Sequence, residues 1–130
     1  MSGETNLQTL LRTISPKLNE GDYVFCTSLT LDNINPKEII GLFKEEEGWT
    51  IILTKTQADS LGLGYTYIAA WITLTIHSSL EAVGLTAAFA TALSNEGISC
   101  NVVAAYFHDH IFVAKEDAER ALVALQKLSN

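Results

Sequence analysis

The segment AAYFHDHIFV, residues 104–113, holds His108 and His110, two of the three histidines in the chain, with Asp109 between them. In an extended strand, residues i and i+2 project to the same side, so the two imidazoles could meet one ion or one polar ligand. Two ligands are too few for zinc, which takes four at a structural site and three from the protein at a catalytic one. His77 is the remaining histidine, at the end of a strand-like run on the face that carries Trp71, and is the only candidate third ligand. The spacing favours a polar hairpin tip instead. In that reading His108-Asp109 forms the turn, where Asp is a preferred residue, and His110 half-packs against Trp71 or Tyr106. Trp71, His77, His108, Asp109 and His110 therefore stand as interface or ligand contacts, and no metal is expected.

Nucleophilic chemistry has less support. Ser78 and Ser79 follow His77, but successive strand residues point to opposite faces, so His77 cannot serve Ser78 as a base. The sequence contains no Gly-x-Ser-x-Gly elbow, no GxGxxG and no phosphate loop ending in Lys-Ser/Thr. Cys26 and Cys100 lie far apart in apolar alternation without a CxxC pattern, which predicts buried free thiols of raised pKa. Glu116 and Asp117 fall in the first turn of a helix, where the dipole accounts for them. Glu45, Glu46 and Glu47 precede Gly48 in what reads as a solvated hairpin tip. No catalytic constellation emerges, so neither an enzyme nor a cofactor is expected.

The elements that must position these residues differ between the two halves. Leu7, Leu10, Leu11 and Ile14 have helical spacing, and Pro16 closes that short helix. DYVFCTSL, residues 22–29, is a strand by composition, and DNINP, residues 32–36, is a loop. EIIGLFKEEEGWTIILT reads as a hairpin with Gly48 supplying a positive φ, and QADSLG as a helical turn closed by Gly62. In the second half, Ala70, Ile72, Leu74 and Ile76 alternate with Trp71, Thr73, Thr75 and His77, the period of a half-buried strand. The next helix stripes Leu85, Ala88, Phe89, Ala92 and Leu93 on one side, and Gly97 ends it. Two strands follow, ISCNVVAAYF and HIFVA, and then a helix with Ala118, Ala121, Leu122, Leu125 and Leu128 on its apolar face.

That order is β-α-β-β-α, a split βαβ arrangement with both helices on one face of an antiparallel sheet. Its fourth strand is missing after residue 128, and an open edge is a liability. The spare strands of the first half imply that the halves share a sheet or dock edge to edge.

Composition bounds the function. The chain has 130 residues, 48% hydrophobic, with 15 acidic side chains against 8 basic ones for a net charge of −7. No Lys/Arg stripe is available to displace phosphate counterions or to hold anionic lipid, which argues against nucleic-acid and membrane partners. The N-terminus lacks the apolar stretch of a secretory signal, and no apolar run approaches the roughly 20 residues of a span. The expectation is a cytoplasmic globular protein.

WITLTIHSSLEAVGLTAAFATALSNEGISCNVVAAYFHDHIFVAKEDAERALVAL resembles the ACT domain. The likeness rests on a strand ending in Ser-Ser, a glycine before the first helix, GIS-N opening the second strand, and a hairpin followed by V-x-x-E-D-A. The chain is similar to small bacterial proteins that carry two ACT-like units, the N-terminal one degenerate. The resemblance implies tandem ferredoxin-like (βαββαβ) units of the α+β class, with residues 1–66 and 67–130 as their bounds. It further implies a regulatory module that binds an amino acid at an interface between units. Carried over by position, the ligand residues are Ser79, Leu80, Glu81, Ala82, Val83 and Gly84 of the loop, with Asn101 and Val102 of the adjoining strand. ACT units commonly pair, so a homodimer or higher homo-oligomer is expected, with the face through Trp71 too apolar to be left wet. The competing expectation is a non-catalytic structural or protein-interaction module that keeps the fold without a ligand.

Overall fold

A computed structural model describes residues 6–75 and 84–129. Packing divides the chain into two compact units. One contains the described residues of Met1–Glu20 and Ala70–Asn130, and the other is Gly21–Ala69. These units interleave, whereas the bounds 1–66 and 67–130 follow chain order.

In the first unit, helix α1 (Leu7–Arg12) starts at Asn6, whose side chain accepts the Thr9 N–H and so satisfies one of the orphan first-turn donors. Thr13 caps its end, so Pro16 does not close the helix. Pro16 is instead the second residue of β1 (Ser15–Ser28), a strand of 14 residues that begins well before the run expected from composition. Residues 15–20 lie beside β4 (Ile68–Thr75), which is followed by α3 (Leu85–Asn95), β5 (Cys100–Ala104), β6 (Asp109–Ala114) and α4 (Ala118–Gln126). The strand order in this unit is β1–β4–β6–β5. Numbered within a βαββαβ unit, that is the ferredoxin-like 4-1-3-2 order, with β1 standing where the fourth strand belongs. The strand missing from the C-terminal end is thus supplied from the N-terminal end.

The helical layer of this unit covers one sheet face. Leu85, Phe89 and Leu93 of α3 recur every four residues and are buried. They meet Ala121 and Leu125 of α4, Leu10 of α1, Ile72 and Leu74 of β4, and Ile111 and Val113 of β6 in one cluster. Each fully buried Leu, Ile or Phe there stabilises the fold by about 1.5–3 kcal/mol relative to exposure. Gly97 has φ 72°, the left-handed C′ position, and its N–H returns to the Ser94 carbonyl. Arg120, near the start of α4, donates to the Glu96 carbonyl at the end of α3 and to the Asp117 carboxylate.

The second unit holds residues 21–28 of β1, β2 (Gly41–Glu45), β3 (Gly48–Thr54), α2 (Lys55–Leu61) and the first two residues of β4. Its strand order, β2–β3–β1–β4, is again the ferredoxin-like one, but the first helix is reduced to a 3-10 turn at Pro36–Glu38. Glu45 pairs with Gly48 across a two-residue turn, the three glutamates are exposed, and Gly48 has φ 147°. A Cβ at Gly48 would stand 2.9 Å from the Ser28 carbonyl oxygen, so close backbone approach and conformation both require glycine. Gly62, at φ 70°, ends α2 as expected.

Candidate functional site

The two cysteines are free thiols. Burial pushes Cys26 up from its ordinary value, with Asp59 adding to the effect, and burial alone does so at Cys100. Neither has the thiolate character of a nucleophile.

The His-Asp-His segment is arranged differently from the polar tip read from sequence. Ala104 pairs with Asp109, and the Ala105 N–H bonds the His108 carbonyl, so the loop is residues 105–108 and Asp109 already belongs to β6. The tip is Tyr106 and Phe107, exposed by 60% and 69% and set edge to face with centroids 4.9 Å apart. Asp109 is displaced from the turn because the ladder continues to it, and its half-buried carboxyl is pushed up by desolvation, which the nearby His108 partly offsets. His108 and His110 do share a side, with ring centroids 6.3 Å apart. Among the described residues, no three His, Cys, Asp or Glu converge on a point that could hold a metal. His77 lies outside the described residues.

His110 is the centre of a polar network on the sheet face opposite the helices. Its Nδ1 accepts the Trp71 indole N–H at 3.0 Å, which fixes the neutral ring as the Nε2–H tautomer. Asn19 of β1 donates its amide to the Trp71 carbonyl at 3.1 Å and to the Thr73 hydroxyl oxygen at 2.9 Å. The Thr73 hydroxyl oxygen also lies 3.3 Å from His110 Nδ1. Burial, with a contribution from His108, lowers the His110 pKa and favours the neutral form. Trp71 also stacks on Phe112 at 6.1 Å and 18°. Sequence reasoning anticipated the His110–Trp71 contact but missed Asn19, whose partners lie 52 and 54 residues away with no local signal. The face is also less exposed than expected. Phe112 is 2% exposed and Thr73 is buried within the single chain, because Phe112 lies under Trp71 and Thr73 is tied into the network.

Of the ligand residues carried over by position, Ser79, Leu80, Glu81, Ala82 and Val83 lie outside the described residues. Gly84 opens α3 with φ 88°, in the left-handed region, and its carbonyl accepts the Ala88 N–H at 2.9 Å. As a glycine it offers no side-chain cap, so the amides of the first turn of α3 receive no acceptor from it. Asn101 is exposed and its amide reaches the Phe112 carbonyl at 3.5 Å, whereas Val102 packs into the helix-side cluster. The two neighbours therefore project to opposite faces, and a single ligand can meet the side chain of only one of them.

Two units that share the ferredoxin-like strand order define the class of protein: a tandem ferredoxin-like chain. Profiles of the ACT domain match residues 2–70 and 67–127, and the chain belongs to the ACT-domain family. Among curated proteins, none matches this chain. A Vibrio cholerae protein of unknown function, described as a possible transport protein, is 50% identical over 95% of this chain and 96% of its own, with a TM-score of 0.86. An Agrobacterium tumefaciens protein is 18% identical over 89% of each chain, with a TM-score of 0.64. The aspartate kinase of Clostridium acetobutylicum, an allosteric enzyme, is 13% identical, with a TM-score of 0.62. The match covers 90% of this chain and 34% of the kinase. The last two show a shared fold. No helix among the described residues is long and apolar enough to cross a membrane.

Proposed function

We propose that this protein is a cytosolic regulatory sensor that binds a free amino acid, or a similar small metabolite, at an interface between ACT units. The double ACT match over nearly the whole chain carries this reading. In the binding residues we include Ser79, Leu80, Glu81, Ala82, Val83 and Gly84, with Asn101 and Val102. Gly84 supports the assignment, because the amides at the start of α3 can receive a carboxylate where no side chain caps them. Asn101 supplies an exposed amide on the adjoining strand, and Val102 contributes through its backbone. Free thiols suit the cytoplasm. The protein acts as a homodimer or higher homo-oligomer, without nucleic acid or membrane as partner.

A thermal-shift screen over the twenty amino acids tests the reading. A ligand at 100 times its Kd adds about 2.7 kcal/mol, enough to move the midpoint by several degrees. A flat response to all twenty overturns the amino-acid reading. The exposed Val103, Tyr106 and Phe107 then favour the interaction module as the second reading.

A further inference from the structure

We infer that the groove between α3 and α4 is a self-association surface, filled by the same groove of a second copy across a two-fold axis. The inference rests on the homo-oligomeric reading above and names the contact. From Leu85 to Asn95, α3 carries no charged residue, although it is an outer helix of an acidic chain. A helix face that stays wet ordinarily presents Lys and Glu. Here the inward stripe is buried, Ala87 and Thr91 are exposed, and Ala88 and Ala92 are half-buried. With Ala124 of α4 they floor an open groove of about 680 Å³. Small side chains along such a floor allow a second helix to approach to a short interaxial distance.

Charge decides the occupant. The charged residues lining the groove are one acid, Glu96 at the end of α3, and one base, Lys127 following α4. Among the described residues neither is part of an ion pair. A two-fold axis through the middle of the groove exchanges its two charges, so Glu96 of each copy meets Lys127 of the other. An isologous contact needs this self-complementarity. Phe43 on β2 and the Tyr106–Phe107 tip are also exposed, but they project from an edge strand and a hairpin tip. A convex projection does not match itself across a two-fold.

Sedimentation velocity on the full chain at micromolar concentration tests the surface. The wild-type protein is expected to be a dimer. Thr91→Arg, which adds bulk at the groove floor while reducing the net negative charge, raises the dissociation constant at least tenfold. Its far-ultraviolet circular dichroism should be unchanged, because Thr91 is exposed in the single chain, and its melting midpoint should fall only by the share that dimer formation contributes. Glu96→Lys and Lys127→Glu each weaken association roughly threefold to tenfold, and the double reversal restores it. If Thr91→Arg alters the circular dichroism, the charge reversals decide alone. A wild-type dimer that survives these changes unaltered overturns the surface and leaves the oligomeric reading standing. A wild-type monomer overturns both.

Discussion

Leu10 tests the way the chain is assembled. It lies in a six-residue helix near the N-terminus, where a fraying segment would tolerate truncation at a cost of a few tenths of a kcal/mol. In the structure it is 1% exposed and packed in the cluster formed by α3, α4, β4 and β6. Leu10→Ala removes the equivalent of three buried methylene groups, about 2.4 kcal/mol at about 0.8 kcal/mol each. The cavity left behind adds to this and brings the expected loss to about 3 kcal/mol. Against a total stability of about 5–15 kcal/mol that is a large fraction, and for a chain of this length it lowers the midpoint by about 10 °C. Urea denaturation followed by tryptophan fluorescence measures it. A Trp49→Phe background leaves Trp71, which sits in the same unit as Leu10, as the reporter. Leu29, 87% exposed, is the matched control, and Leu29→Ala should change stability by less than about 0.5 kcal/mol. A loss below about 1 kcal/mol for Leu10→Ala would refute the assignment of the N-terminal segment to the core of the C-terminal unit.

Three further outcomes follow from particular contacts. Gly84→Val should lower the melting midpoint by an amount equivalent to about 2 kcal/mol, because the residue sits at φ 88° and a Cβ would approach Leu7 Cδ2 at 3.2 Å; Gly84→Asn, which tolerates that backbone, should cost clearly less in the same melt. Gly48→Ala should cost a similar amount in urea denaturation read through Trp49, because its Cβ would collide with the Ser28 carbonyl. His110 has a depressed folded pKa, so the unfolded chain binds the extra proton first. Its contribution to stability is complete above the unfolded value near 6.5 and falls as pH drops through the folded value. Asp109, with a raised pKa, acts with the opposite sign and at lower pH, losing stability as pH rises through its folded value. Melts between pH 7.5 and 5.5 should therefore show a decline that His110→Gln removes, and an unchanged slope in that variant would contradict the network.

The sequence alone determined every element whose residues repeat with a simple period. Ala70, Ile72 and Leu74 define the buried side of β4, and Leu85, Phe89 and Leu93 that of α3, because a half-buried strand or helix must place apolar residues at intervals of two or three to four. Gly48, Gly62 and Gly97 were readable for a related reason: positive φ is open to glycine at little cost, and each stands where a turn or helix must end. The contact between Trp71 and His110 was also within reach, since both face away from the apolar side of adjacent strands. Other features depended on tertiary structure. Residues 15–20 carry a proline, an asparagine and one inward leucine, Leu18, so they have no strand signal of their own. They become a strand because β4 presents an unpaired edge whose backbone groups need partners. Asn19 acquires its role in the same way, from Trp71 and Thr73 more than fifty residues along the chain. Asp109 joins β6 rather than the turn because the β5–β6 register pairs it with Ala104, which ends β5 before Phe107 and moves the loop to residues 105–108. Periodicity is a local property and survives in the one-dimensional string, whereas hydrogen-bond pairing between distant segments exists only once the chain has folded.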